Sequence, residues 1–388
     1  MRRDYEYIVL GLGGLGSAAA FWLARRAGAN VLGLEQFELG HGRGESEDHS
    51  RIVRLSYHTP GYVHLAKRAY ESWRLVESEA NEELLRITGG LDLGPRDSAI
   101  PLNPYLQSMD AAGVPYQHLT ADEIVRRWPQ FRLPADVHGI FQEQGGFAKA
   151  AAANAAHRRL ARQHGATLRD GAPVTMIGAE GGEICLTVDG GTYRCGKLIV
   201  AAGPWSNEVL GSFGIELPLQ VTREQVTYFA SPDLAAFSPD RFPVWIWMDD
   251  PCFYGLPVFG APGAKVGQDV GGKLTTADTR DFDPDLEYLK RVEGFVSRYL
   301  PGAMGPIHTI KTCLYTLTPD RDFVIDAIPG SPNVLVAIGA GHAYKFASVI
   351  GRILAELAID GRTPSDLSPF GIDRSILRIK NPTVNYMV

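Results

Sequence analysis

The sequence predicts an α/β protein: a Rossmann-like nucleotide-binding domain with an inserted α+β domain that carries a large mixed sheet. Three observations predict it. The chain opens on a strand, a glycine-rich turn and an alanine-rich helix, followed by a second strand. Two later apolar runs, 198–203 and 334–338, have the continuous hydrophobic character of strands buried on both faces of a parallel sheet, and each leads into glycines. Between them, 220–316 contains segments of alternating apolar and polar residues, the pattern of strands with one wet face.

Residues 7–10 form the first apolar run, the glycines of 11–16 break it, and 17–26 reads as a helix leading to a strand at 31–35. Apolar residues at Val63, Ala66, Ala69, Trp73 and Val76 predict a helix over 62–79, and a short one over 122–128 stops before Pro129. The chain between those two helices reads as irregular or strand-like. A second alanine-rich helix is expected over 148–164, before the strand at 198–203. The segments 225–229 and 264–267 suggest a separate, more antiparallel sheet. Near the end, the strand at 334–338 passes through Gly339, Ala340 and Gly341 into a helix over about 342–359. The nucleotide domain is thus expected from 1–85, 146–217 and 320–388, and the inserted domain from 86–145 and 218–319.

At 388 residues the chain has material for two or three folded units. Hydrophobic residues at 45% and charged residues at 21% fit an enzyme-sized core. The net charge of -6, with no basic cluster, argues against nucleic-acid phosphates and anionic membranes as partners. Cys185, Cys195, Cys252 and Cys313 are widely spaced without a C-x-x-C pair, so neither a zinc site nor a disulfide framework is expected, and no other metal site is. No run of about 18 apolar residues suggests a membrane span. With a first segment that runs straight into a strand pattern, a cytoplasmic monomer is the expectation.

Gly11-Leu12-Gly13-Gly14-Leu15-Gly16 matches G-x-G-x-x-G, and its place between a strand and a helix gives the string weight. Backbone N–H groups and the positive helix end there face a pyrophosphate, and absent side chains let phosphate oxygens approach. Glu35, 24 residues beyond Gly11 at the end of the next strand, is placed to accept hydrogen bonds from ribose hydroxyls. This signature fits FAD and NAD alike.

The segment 11–35, the stretch 44–54, Ala201-Ala202-Gly203-Pro204-Trp205, Lys265, Cys313-Leu314-Tyr315, and Gly339-Ala340-Gly341-His342 with Lys345 occur in one order along nearly the whole chain. That ordered set resembles the monomeric sarcosine oxidase family, amine-oxidising flavoenzymes that include N-methyltryptophan oxidase and pipecolate oxidase. The resemblance implies FAD as cofactor, a small amino acid and oxygen as substrates, and a cofactor site drawn from Gly11, Gly13, Gly14, Gly16, Glu35, Ser50, Arg51, Val174, Ala202, Gly203, Trp205, Gly339, Gly341, His342 and Lys345.

It implies particular roles as well. Cys313 matches the family's cysteine bonded through sulfur to the flavin; without that resemblance a buried, inert thiol is the preferred reading. Arg54 with Lys345 would clamp the substrate carboxylate, a task suited to the planar guanidinium, and Arg51 would sit against the flavin ring. Three positions apart on a helical or irregular turn, Arg51 and Arg54 would share one side; the ordinary alternative is ion pairing to Asp48 or Glu47. Lys265 matches the lysine that promotes reaction with oxygen, the alternative being a strand lysine facing solvent. Tyr254 and Tyr315 match positions lining the substrate cavity and would serve equally as packing residues. His342 holds a family position before the last helix, where capping or core packing is the other reading.

Two positions depart from the family. Glu47 stands where an ungapped match places a histidine four residues before the first arginine, and Asp269 stands where another histidine follows the lysine. Either the pocket has shifted toward a substrate with an additional cationic or donor group, or Asp269 pairs with a nearby lysine or arginine. The reaction implied is oxidation of the C–N bond of an N-methyl or cyclic amino acid, hydrolysis of the imine and reduction of oxygen to peroxide. A flavin dehydrogenase serving an electron carrier, an NAD-dependent oxidoreductase and a non-catalytic flavin-binding subunit are the rivals.

Overall fold

The first glycine turn organises one of two main sheets, of eight strands. In the computed structural model, which describes residues 3–379 and Pro382, strand Asp4–Leu10 lies between Val31–Leu34 and Gly191–Val200 and runs parallel to both. Met1, Arg2 and the remaining C-terminal residues, which the expected ranges 1–85 and 320–388 include, lie outside the described residues. Thr167–Arg169 extends this sheet in parallel beyond Val31–Leu34. The other edge divides: one half of Gly191–Val200 pairs antiparallel with Glu183–Val188, and the other half pairs parallel with Ser331–Ile338. All four residues of Val31–Leu34 are buried, as expected of a parallel strand covered on both faces.

Helices Gly14–Ala27, Ala150–Gln163 and Ala347–Asp360 pack together beside this sheet. Small residues permit the contact. A Cβ on Gly351 would lie 2.5 Å from the backbone carbon of Ala18, so the first and last helices meet backbone to backbone. The last helix begins later than the sequence suggests: Ala343–Phe346 is a 3-10 turn, entered through left-handed conformations at Ala340 and Gly341 (φ 48° and 81°), and the α-helix starts at Ala347.

The second sheet has nine strands and is mixed. Gly90–Pro95 from the first insertion pairs parallel with Val244–Trp247 from the second, and that ladder joins both insertions into one sheet; the other pairings are antiparallel. Helix Leu286–Tyr299 covers it with Tyr288, Val292, Phe295 and Val296, its N-terminus capped by Asp285, which accepts from the Glu287 and Tyr288 amides. The stretch expected to be irregular or strand-like contains a helix, Asn103–Ala111, with Pro104 in its first turn and Leu102, Tyr105 and Met109 buried. A three-residue and then a four-residue step along so short a run is a weak helical signal, which is why it reads as loop. A small third sheet pairs Gly146–Lys149 with Ser50–Val53 and Leu85–Ile87. Among the described residues no helix is long and apolar enough to cross a membrane.

Candidate active site

The glycine turn opens one cleft. Gly11 has φ 89°, and a Cβ there would lie 2.4 Å from the Ala201 carbonyl oxygen; a Cβ on Gly16 would lie 1.8 Å from the Gly11 carbonyl oxygen. Gly11 and Gly16 thus keep strand, turn and helix in contact, while Gly13 and Gly14 line a cleft of about 1180 Å³ with Glu35, Val174, Ala202, Gly203 and Trp205. Gly16 itself does not line it. Glu35 accepts from the amides of Leu12 (2.9 Å) and Phe37 (3.2 Å) and lies 3.4 Å from His41 Nε2. Burial raises its pKa, but the His41 contact and the two amides outweigh that and leave the carboxylate below its ordinary value.

A second cleft, of about 1080 Å³, adjoins the first through Gly14, Leu15, Glu45, Ser46 and Gly339, which line both. It gathers Ser50, Arg51, Arg54, Tyr254, Lys265, Asp269, Tyr315, Gly341, His342 and Lys345, residues spread over almost 300 positions of sequence. Gly341 is required here: its Cβ would lie 2.7 Å from the Tyr315 ring. Lys265 is 1% exposed on strand Ala264–Asp269, so the solvent-facing alternative does not hold. Burial and the nearby Arg54 bring Lys345 down to about 7, and its ammonium has no hydrogen-bond or ion-pair partner among the described residues. His342 directs Nε2 at the Arg321 carbonyl (2.7 Å) and leaves Nδ1 without a partner; burial, then repulsion from Arg321 and Lys345, holds it well below its ordinary pKa.

Arg51 and Arg54 reach this cavity from a strand, Ser50–Val53, and the residue after it, rather than from a helical or irregular turn. Antiparallel pairing with Gly146–Lys149 fixes the segment as extended. Each arginine has its own carboxylate. Arg51 Nη1 is 3.0 Å from Asp48, so the pairing alternative holds beside the cavity-lining one; Arg54 Nη1 is 3.1 Å from Asp92, whose other oxygen accepts from Ser56.

Asp48, which the sequence offers only as a pairing partner for the arginines, carries much of the site's charge balance with Asp92 and Arg321, which have no signature in the sequence. Asp48 is 4% exposed and is approached by Lys265, Arg51 and Lys311, at 2.5, 3.0 and 3.3 Å. Burial opposes its charge, yet Lys265 and Arg51 drive its pKa far below the usual carboxylate range. Arg321, 1% exposed, donates to the Ala340 carbonyl at 3.1 Å and lies 3.4 Å from Asp269. Asp269 therefore has the pairing partner that the simpler sequence alternative requires. At the seam between the clefts, burial pushes Glu45 up to about 7 against the pull of Thr316, whose hydroxyl it accepts.

Cys313 is half-buried on strand Ile307–Leu317, opposite Glu224 and outside both cavity linings. Burial pushes its thiol up to about 11, with Arg51 pulling the other way.

A nucleotide cleft that adjoins a cation-lined cleft over a mixed sheet defines an oxidoreductase built around a dinucleotide cofactor. The comparisons specify which. Residues 6–357 match the model of the DAO family, FAD dependent oxidoreductase. The chain is 35% identical over 379 residues to the monomeric sarcosine oxidase of Streptomyces avermitilis, covering 95% of this chain and 97% of that one. It is 32% identical over 377 residues to the N-methyl-L-tryptophan oxidase of Salmonella agona, covering 95% and 99%. In three dimensions it superposes on NikD, an unusual amino acid oxidase essential for nikkomycin biosynthesis, with a TM-score of 0.83 at 29% identity and coverage of 95% and 98%. The chain belongs to the DAO family of FAD-dependent oxidoreductases, in its monomeric sarcosine oxidase and N-methyltryptophan oxidase group. It is an FAD-dependent oxidoreductase acting on the CH–NH bond of amino acids, which sets aside the nicotinamide alternative.

Proposed function

We propose that this enzyme oxidises the C–N bond of a small secondary amino acid, N-methylated or cyclic, and uses oxygen as the electron acceptor. The observation that carries the reading is the cavity next to the nucleotide cleft, which holds Arg54, an unpaired Lys345 and a buried Lys265 together. The glycine-lined first cleft, with Glu35 at one end and Glu45 at the seam, suits FAD: Gly13, Gly14, Ala202, Gly203 and Trp205 would hold its dinucleotide part, and Ser50, Arg51, Gly341, His342 and Lys345 the part that reaches the second cavity. The division into 1–85, 146–217 and 320–388 for the cofactor, with 86–145 and 218–319 for the substrate, belongs to the same proposal.

Arg54 and Lys345 bind the substrate carboxylate, the guanidinium fixing orientation and the ammonium adding charge. Cations beside the substrate nitrogen favour loss of its proton, and a neutral amine has the lone pair that oxidation requires. Tyr254 and Tyr315 wall the cavity and keep water from the reacting carbon. Lys265 and Arg51 face the charge that oxygen gains on reduction, and fixed positive groups in a dry site stabilise it without reorganisation. When bound, FAD supplies the two-electron acceptor for the amine and returns those electrons to oxygen as hydrogen peroxide, while the imine released hydrolyses in water. Cys313 is the proposed point of covalent attachment, its thiolate favoured by Arg51 and Lys265 against the cost of burial.

Acid precipitation of the purified enzyme tests the attachment: a yellow pellet is expected, and Cys313→Ser should release the colour to the supernatant. Peroxide formation measured with sarcosine, proline and pipecolate beside their primary-amine counterparts tests the reaction. A preference for primary amines, or electron transfer to a dye without peroxide, would overturn it.

A further inference from the structure

The resemblance accounts for Lys265 but assigns nothing to the carboxylate that holds it. Lys265 Nζ donates to Asp48 Oδ2 at 2.5 Å and to the Ser50 carbonyl at 2.7 Å. The same Asp48 oxygen takes Arg51 Nη1 at 3.0 Å. The second oxygen accepts from the His49 amide and the Tyr228 hydroxyl, each at 2.8 Å, and lies 3.3 Å from Lys311 Nζ. One carboxylate thus stands among three cations, all its approaches are filled by donors, and its position 217 residues from Lys265 is set by tertiary structure alone.

We propose that Asp48 is a positioning residue for the reaction with oxygen: it fixes the Lys265 ammonium at the cavity wall and keeps that ammonium charged although Arg51 lies beside it. This rests on the reading of Lys265 given above.

The geometry leaves Lys265 few other ways to stay charged. Burial works against an ammonium, and so does Arg51 on strand Ser50–Val53, while Lys311 on strand Ile307–Leu317 shares the Asp48 carboxylate with Lys265. The remaining titratable groups around it are the Tyr228 phenol, paired across the ladder with Lys265; Tyr254 on the next strand; His49, whose Nε2 is 3.1 Å from Lys311; and the Cys313 thiol. Burial raises the phenols and keeps them neutral, and Cys313 carries no charge either as the buried free thiol or once bonded to the flavin. Asp48 is accordingly the only carboxylate paired with Lys265 among the described residues. Without it, Lys265 would keep no carboxylate partner, whereas Arg51 and Lys311 would still feel the Glu47 carboxylate, and Lys265, the more buried of the two amines, would give up its proton first.

The test is the pH dependence of flavin reoxidation by oxygen in holoenzyme reduced photochemically, read beside the midpoint potential of the bound flavin. For wild type, the reoxidation rate should fall as pH rises through the titration of Lys265, near the value of about 8 to which burial brings it. Lys265→Met should be slow at every pH. Asp48→Asn should move the midpoint of the pH profile down by about one unit or more, which is about a tenfold loss of charged lysine at a pH above both midpoints. Asp48→Glu should restore most of the shift, and the flavin potential should follow the same order. If Asp48→Asn does not fold, Lys311→Met reads the coupling in the opposite sense: with a competing cation removed, the midpoint should rise. A Lys265→Met enzyme that reoxidises normally overturns the role of Lys265, and this inference with it. A slow Lys265→Met enzyme beside an unmoved midpoint in the Asp48 and Lys311 variants overturns the inference alone.

Discussion

Arg54→Met separates structure from recognition in the cavity. Arg54 and Asp92 are each 5% exposed and pair at 3.1 Å, with Ser56 on the other carboxylate oxygen and the Tyr57 ring 5.0 Å from the guanidinium carbon. Removing the arginine leaves Asp92 a buried carboxylate without its cation. Breaking a buried pair in this way costs about 3–5 kcal/mol. Removing both charges, in Arg54→Met with Asp92→Asn, should recover much of that stability, because an amide needs no counter-charge and still accepts from Ser56. Carboxylate binding should not recover. A lost charge-assisted bond of about 1.5–3 kcal/mol lowers kcat/KM about ten- to a hundredfold for an amino acid. A matched amine lacking the carboxylate should be affected little. Urea unfolding and steady-state kinetics on the single and double variants supply both readings. Equal losses for the amino acid and the amine would refute the assignment of Arg54 to the carboxylate, and equal instability of the single and double variants would refute the account of Asp92.

Lys345 gives a pH signature. Its folded pKa of about 7 lies below that of the unfolded chain, so its charge favours substrate binding at lower pH and is lost as pH rises through 7. KM for an anionic substrate should therefore rise through that range, and Lys345→Met should flatten the profile. The same shift makes the unfolded state bind more protons above pH 7, so the lysine's unfavourable effect on stability should lessen with rising pH and disappear in Lys345→Met; pH-dependent unfolding checks this. Gly16→Ala places a methyl 1.8 Å from the Gly11 carbonyl oxygen and should leave the purified protein with little flavin absorbance. Asp269→Asn weakens the hold on the buried Arg321 and should cost about 1–3 kcal/mol in urea unfolding, with the ranking of neutral and cationic amino acids unchanged.

What could be read from the sequence was local or patterned. The glycine turn, the apolar parallel strands and the alanine-rich helices are contiguous signals, and they lie where their periodicity places them. Arg51, Arg54, Lys265 and Lys345 were found because their flanking residues resemble a family, and the structure brings them to one cavity. Their counter-charges were found only in part, through Asp48 as a partner for Arg51. Asp48 is near Arg51 in sequence but meets Lys265 only through the fold, and Asp92 is 38 residues from Arg54. A carboxylate in a loop or strand has no periodicity to mark it as an ion-pair partner. The helix Leu286–Tyr299 was legible from Tyr288, Leu289, Val292, Phe295 and Val296, yet the alternating segments around it favoured a sheet reading.

The threading of the chain bears on biosynthesis. Ser331–Ile338, which pairs with Gly191–Val200, leaves the ribosome long after its partner, and Gly90–Pro95 finds its parallel neighbour only after residue 247 has emerged. Neither sheet can be completed early, so the two clefts take shape only after these late pairings form. A nascent chain halted before residue 331 would hold the glycine loop and still lack Gly339, Gly341 and Lys345, which line the clefts.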